Sequence, residues 1–210
     1  MGALLFAGAG TLRWAAAWVY LAEMEVISLM LGAWLARHDP ALLDERMKFP
    51  VRRKQPGWDR VLMSIFMLLF LGWLVLMGVD AKRLAWWPMP VWAQAAGAVG
   101  IALCNVVTWQ VFKVNSFAAP VVRLQSERRQ KVVTTGLYAY VRHPMYAGAL
   151  FFIFGMPLLL GSWLGLIAAC LLVLLLALRI FKEEAMLRQE LDGYEEYARR
   201  VRWRLVPFVW

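Results

Sequence analysis

The 210 residues are 62% hydrophobic and only 18% charged, whereas about a quarter of the residues in an ordinary soluble domain are charged. This composition excludes a typical water-soluble globular protein. The formal net charge of +9 leaves nucleic acid and anionic membrane lipid as alternative partners, and the distribution of the charge along the chain decides between them.

Long apolar runs predict an all-α membrane protein with about five transmembrane helices. Most of the runs approach the roughly 20 residues that a helix needs to cross the hydrocarbon core. The last two are separated only by Gly161 and Ser162, which predicts a helical hairpin, and the fourth run is short, which predicts a tilted helix. The runs cover residues 12–35, 61–79, 91–112, 145–160 and 163–181.

The basic residues indicate how these helices are oriented. All of the 23 lysines and arginines except Arg13, Lys82 and Arg83 fall in residues 37–60, 113–142 and 179–204, which follow the first, third and fifth runs. By the positive-inside rule the N-terminus is outside and the C-terminus is cytoplasmic. We therefore expect the lipid bilayer as partner and no nucleic acid.

Other features predict little chemistry. Cys104 and Cys170 lie inside apolar runs, so we expect no disulfide and no metal site. The first ten residues lack a basic start, and we expect no cleaved signal peptide. Glu23 and Glu25 lie within the first run, where they are either protonated or engaged by a substrate headgroup; Asn105, Thr108 and Gln110 are candidate partners.

A motif-rich segment precedes the fourth run. It reads GLYAYVRHPMYAG over residues 136–148. Pro144 suits the first position of a helix and disfavours a helical conformation at His143, so Arg142 and His143 are predicted on an extended lead-in at the water interface, free to contact a ligand. Alternatively, Arg142 and His143 are a basic pair that binds lipid phosphate.

The fifth run returns the chain to the same side, where Arg179, Glu183 and Glu184 follow. Apolar residues at spacings of three and four predict that the helix continues as an amphipathic cytoplasmic helix, with a break at Gly193. Carboxylates here could accept ribose hydroxyls and favour a nearby cation. Alternatively they form a solvated helix face, with Glu184 paired to Arg188. Arg179 could bind a substrate carboxylate or merely extend to the headgroups.

The combined pattern, GxYxxxRHPxYxG followed one hairpin later by EExxL, resembles the isoprenylcysteine carboxyl methyltransferase family and its phospholipid methyltransferase relatives. The resemblance covers residues 115–207. It implies a cofactor-binding region over residues 115–210, after a three-span membrane region over residues 1–114. Short loops favour a bacterial-type protein of the inner membrane.

The resemblance also implies the cofactor S-adenosyl-L-methionine in a cytoplasm-facing pocket, and a lipophilic small-molecule or lipid-modified substrate. By it, Glu183 or Glu184 would hold the ribose, and the other cofactor contacts would come from Gly136, Tyr138, Arg142, His143, Pro144 and Tyr146. For methyl transfer itself, the candidate catalytic residues are Arg179, which could position a carboxylate acceptor, and His143, the only histidine of the candidate site, which could take a proton from a thiol or an amine.

Two other functions stay open. A membrane-bound, NADPH-dependent reductase of the sterol type has a similar helical architecture, although such families more often carry HPNYxxE where this chain has His143, Pro144, Met145 and Tyr146. A non-enzymatic scaffold would leave the motif and the glutamate pair without a role. The sequence indicates neither the methyl acceptor nor the oligomeric state.

Overall fold

The computed structural model describes residues 1–48 and 55–210, so Arg52, Arg53 and Lys54 of the first basic segment lie outside the described residues. Within the described ranges every regular element is helical, which confirms the all-α fold class. The helices are α1 (Gly2–Ala9), α2 (Ala15–His38), α3 (Pro40–Met47), α4 (Gly57–Gly78, extended by a π-helical turn, Val79–Leu84), α5 (Val91–Phe112), α6 (Pro144–Leu160), α7 (Trp163–Glu190) and α8 (Tyr194–Arg200).

The long apolar helices match the predicted runs closely. In the described part of the chain, four helices are long and apolar enough to cross a membrane: Ala15–His38, Gly57–Leu84, Val91–Phe112 and Trp163–Glu190. The fourth predicted run forms α6, which has only 17 residues. The number of five spans therefore stays a prediction. The short helix α1 was not predicted.

Proline and glycine residues mark the start of α6, the turn between α6 and α7, and the start of α8. Pro144 is the first residue of α6, as expected from its missing N–H. Gly161, with φ of 78°, provides the left-handed conformation of the turn between α6 and α7. Helix α7 continues past the apolar run to Glu190, and Gly193, with φ of 80°, precedes α8. The cytoplasmic location of this extension stays a prediction.

The chain forms two compact units, each of three segments. Unit 1 consists of Met1–Met30, Ile65–Asn105 and Ala149–Leu175, and unit 2 of Leu31–Ser64, Val106–Gly148 and Leu176–Trp210. Each unit combines residues from both sides of the predicted boundary at residue 114, and the functional division at that boundary stays a prediction.

Unit 1 is held by close helix contacts and by a buried carboxylate. A Cβ on Gly97 would lie 2.3 Å from the backbone nitrogen of Leu159, so only glycine permits α5 and α6 to approach this closely. Asp80 is buried and accepts hydrogen bonds from Ser162 Oγ at 2.7 Å and from the backbone N–H of Leu164 at 2.9 Å. These bonds satisfy donors at the start of α7.

Glu23, a carboxylate within the first apolar run, lies in unit 1. Its Oε2 is buried and has no hydrogen-bond partner among the described residues. Asn105, one of its candidate partners, donates instead to the carbonyl of Ile101 in its own helix, at 2.8 Å. The role of Glu23 therefore stays open.

Unit 2 contains two hydrophobic clusters. The first joins Leu35, Leu42, Val111, Phe112 and Ala118, and so packs the end of α2, α3 and the end of α5 together. The second joins Tyr194, Tyr197, Ala198 and Val201, with Leu187 and Leu191 of α7 packed against it. The clusters fix the segments that carry the predicted site.

Candidate functional site

A cavity in unit 2 collects most of the predicted site. Its wall comes from the segment between α5 and α6, from the first turn of α6, from the end of α7 and from α8. The predicted site residues in the wall are Tyr138, Arg142, His143, Tyr146 and Glu183. Glu184 and Arg179 contact these wall residues, Pro144 starts α6, and Gly136 is exposed in a turn.

The lead-in to α6 is tied to the C-terminal segment. The backbone N–H groups of Arg142 and His143 donate to the carbonyls of Trp203 and Arg204, each at 2.9 Å. Because Pro144 disfavours a helical conformation at the preceding residue, this stretch is extended and its N–H groups remain available for such bonds. The bonds therefore fix where both side chains enter unit 2.

Glu184 is the centre of a buried ion-pair cluster. Its Oε1 accepts from Arg142 Nε at 2.6 Å and lies 3.1 Å from His143 Nε2, and its Oε2 accepts from Arg204 Nε at 3.1 Å. The residue is 3% exposed. The solvated pairing of Glu184 with Arg188 is not observed, because Arg188 donates to Glu195 instead.

Arg142 lines the cavity and is held in place by several hydrogen bonds. Besides Glu184, its guanidinium Nη1 donates to the carbonyls of Val201 and Arg202, each at 2.8 Å. An arginine with these donors occupied is a fixed cation in the wall. Only 6% of the surface of Arg142 is exposed, which does not fit the alternative of an interfacial basic pair that binds lipid phosphate.

The adjacent carboxylate, Glu183, belongs to the cavity wall. Tyr146 Oη donates to Glu183 Oε2 at 2.5 Å, and the Tyr146 ring stacks on the His143 ring with centroids 5.6 Å apart. Consecutive residues on a helix point about 100° apart, which is why Glu183 faces the cavity while Glu184 faces the arginines.

Arg179 has a partner that sequence reasoning missed. Its Nε donates to Asp59 Oδ1 at 2.9 Å, its Nη2 donates to the carbonyl of Pro120 at 2.8 Å, and its guanidinium lies 5.7 Å from the centroid of the Tyr146 ring. Asp59, in the first turn of α4, is fully buried. A lone acidic residue at the start of an apolar run was the only signal of this pair in the sequence.

Tyrosines add further polar groups to the wall, which also contains Asn115, Arg123, Gln130 and Lys131. Tyr138 Oη accepts from Asn115 Nδ2 at 2.6 Å, and burial raises the pKa of Tyr138 to about 12, so the phenol is neutral at physiological pH. Tyr197 Oη donates to the carbonyl of Tyr138 at 2.8 Å. Gly136 begins this turn with φ of 61°, a conformation that favours glycine.

Tyr194 carries an unsatisfied hydroxyl. Its Oη is buried and has no hydrogen-bond partner among the described residues, although the side chain lines the cavity. Burial also raises the pKa of Tyr194, so the hydroxyl keeps its proton. A buried hydroxyl without a partner is costly, and a ligand in the cavity could supply the missing acceptor or donor.

No group of three or more histidine, cysteine, aspartate and glutamate residues with the geometry of a metal site occurs in residues 1–48 and 55–210.

Comparisons with known proteins agree with this location. Residues 92–192 match the phospholipid methyltransferase family. The protein-S-isoprenylcysteine O-methyltransferase of Schizosaccharomyces pombe is 36% identical over 83 residues, which are 39% of this chain and 35% of that protein. The B form of that enzyme in Arabidopsis thaliana is 38% identical over 90 residues, which are 42% of this chain and 45% of that protein.

A similar match comes from rice. A probable protein-S-isoprenylcysteine O-methyltransferase of Oryza sativa subsp. indica is 37% identical over 91 residues, which are 42% of this chain and 47% of that protein. The chain thus spans between about a third and a half of the length of the curated relatives it matches.

Proposed function

Because residues 92–192 match the phospholipid methyltransferase family, we propose that this chain is an integral membrane methyltransferase. It takes the methyl group from S-adenosyl-L-methionine and transfers it to a lipophilic acceptor at the cytoplasmic membrane face. The acceptor classes compatible with the site are a carboxylate, a thiol, an amine and a lipid headgroup.

The observation that carries this proposal is the composition of the cavity wall in unit 2. Glu183 provides a carboxylate that can accept hydroxyl donors from a ribose and whose charge favours a sulfonium cation. The unsatisfied hydroxyl of Tyr194 provides a polar group that needs a partner. Both features fit S-adenosyl-L-methionine.

The wall also has an apolar part. Leu187, Leu191 and Val132 contribute apolar surface beside the tyrosines. When bound, S-adenosyl-L-methionine supplies a methyl group on a positively charged sulfur that a nucleophile can displace directly. The tasks left to the protein are alignment, exclusion of water and charge complementarity.

His143 is the residue that could move a proton. Its Nε2 lies 3.1 Å from Glu184 Oε1, and a carboxylate at that distance favours a proton on Nε2, so that in the neutral ring Nδ1 is the acceptor nitrogen. In that state Nδ1 can accept a proton from a thiol or an amine. A carboxylate acceptor is already ionised and needs no base.

Calorimetric titration of the purified protein in lipid nanodiscs tests the proposal. S-adenosyl-L-methionine should bind with micromolar affinity, and Glu183→Gln should weaken it about tenfold or more. The matched control is Glu190→Gln, an exposed glutamate on the same helix, which should leave the affinity unchanged. Binding of NADPH instead would favour a reductase, and binding of neither compound would favour a scaffold.

A further inference from the structure

Arg179 and Glu183 lie four residues apart on α7, the spacing at which opposite charges on a helix ordinarily pair. They do not pair here. Arg179 Nε donates to Asp59 Oδ1 at 2.9 Å, and Nη2 donates to the carbonyl of Pro120 at 2.8 Å. The arginine is therefore drawn towards α4 and away from its neighbour on α7.

Asp59 is held firmly enough to compete for the arginine. Its Oδ2 accepts from Gln55 Nε2 at 2.5 Å and from the backbone N–H of Val122 at 2.9 Å, while Oδ1 accepts from Arg179. The carboxylate is fully buried. A buried carboxylate with donors from three segments has little freedom, so the ion pair with Arg179 is built into the fold of unit 2.

Glu183 consequently lacks a direct ion pair, although Arg179 is still near enough for a through-space electrostatic interaction with it. The hydroxyl of Tyr146 donates to its Oε2, and in the described part of the chain no lysine, arginine or histidine forms an ion pair with it. The side chain lines the cavity. Its negative charge is therefore directed at whatever occupies that space.

We propose that Asp59 is a positioning residue that keeps Arg179 out of direct contact with Glu183, so that the carboxylate of Glu183 stays available to a cationic ligand. This inference rests on the proposed function. It explains, through Asp59, why the cavity would bind S-adenosyl-L-methionine more tightly than the neutral thioether product. Asp59 lies outside residues 92–192, so the family match does not contain it.

The physical consequence concerns charge rather than shape. If Asp59 loses its charge, the buried guanidinium of Arg179 needs another anion, and Glu183 is one turn away on the same helix face. An arginine paired with Glu183 cancels the attraction for a sulfonium, whereas a neutral thioether loses little. S-adenosyl-L-methionine and S-adenosylhomocysteine differ in that charge and in one methyl group.

The test measures the dissociation constants of both compounds for the wild type and for Asp59→Asn in nanodiscs, together with the melting temperature. The substitution keeps the side-chain volume. We expect the affinity for S-adenosyl-L-methionine to fall at least about tenfold and that for S-adenosylhomocysteine to change by less than about threefold. Equal losses for both compounds would overturn the inference and leave Asp59 a structural residue.

A double variant keeps the inference testable if Asp59→Asn folds poorly. The double variant Asp59→Asn, Arg179→Met removes both buried charges, which a fold tolerates better than removal of one, and it leaves Glu183 unpaired. It should retain the wild-type ratio of the two affinities. A ratio that collapses in the double variant contradicts the inference.

Asp80→Asn is the matched control, because Asp80 is also a buried aspartate that accepts a side-chain and a backbone donor, but in unit 1. It should lower the melting temperature and keep the ratio. A shift of the ratio in this control would mean that general destabilisation moves it, and would also overturn the inference. A wild type that binds neither compound would instead refute the proposed function.

Discussion

Replacing Glu184 by glutamine is the sharpest single perturbation of the site. The carboxylate accepts from Arg142 and Arg204 and lies beside His143 Nε2, with all but 3% of the residue buried. Glutamine has the same shape but turns one acceptor oxygen into an NH₂ donor. Either orientation of the amide therefore places a donor against an arginine donor, and it leaves the buried guanidinium of Arg142 and the partly exposed one of Arg204 without an anion.

The expected loss of stability is large. Removing one partner of a buried ion pair typically costs about 3–5 kcal/mol, because the remaining charge is uncompensated. For a chain of this size that corresponds to a melting temperature lowered by roughly 6–20 °C. The loss should occur without any ligand, because the cluster ties α6 and the C-terminal segment to α7.

The measurement is thermal unfolding of the wild type, Glu184→Gln and Glu190→Gln in the same detergent. Glu190 is exposed on α7, so its substitution should change stability by less than about 0.5 kcal/mol. A Glu184→Gln variant that unfolds at the wild-type temperature would refute the assignment of Glu184 as the anchor of the cluster.

Three other substitutions have definite expected outcomes. Tyr194→Phe removes the unsatisfied hydroxyl, so the melting temperature should stay the same or rise while calorimetry shows S-adenosylhomocysteine binding weakened by about fivefold; unchanged affinity would mean that the hydroxyl does not meet the ligand. Asp80→Asn weakens the bonds to Ser162 and Leu164 and should destabilise by about 1–2 kcal/mol in thermal unfolding, and a stability equal to the wild type would contradict a capping role. Gly97→Ala should lower the melting temperature by the equivalent of at least about 2 kcal/mol because its Cβ meets backbone at 2.3 Å, whereas Gly72→Ala, whose Cβ meets nothing within 4 Å, should not.

The sequence motifs predicted the resemblance to this family correctly. The resemblance drawn from residues 136–148 and the glutamate pair is confirmed by the match over residues 92–192. The assignment of individual residues to the cofactor stays a prediction. The structure adds that Tyr138, His143, Tyr146 and Glu183 share one cavity.

The helices could be predicted because their cause is local. Long apolar runs, Pro144 at a helix start and Gly161 in a turn each act through their own backbone and the surrounding solvent, so the bounds of α5, α6 and the start of α7 agree with the runs in the sequence to within one residue. The short helix α1 was not predicted, because a run of eight residues is too short to indicate a transmembrane helix.

The partners of the charged side chains were decided only by the tertiary structure. Helical periodicity separates Glu183 from Glu184 by about 100°, but it does not tell which of them faces a cavity and which faces two arginines. Asp59 and Arg179 are 120 residues apart, and no local pattern connects them. A buried charge is paired by whatever the packed segments bring within reach, and that is a property of the fold rather than of any stretch of sequence.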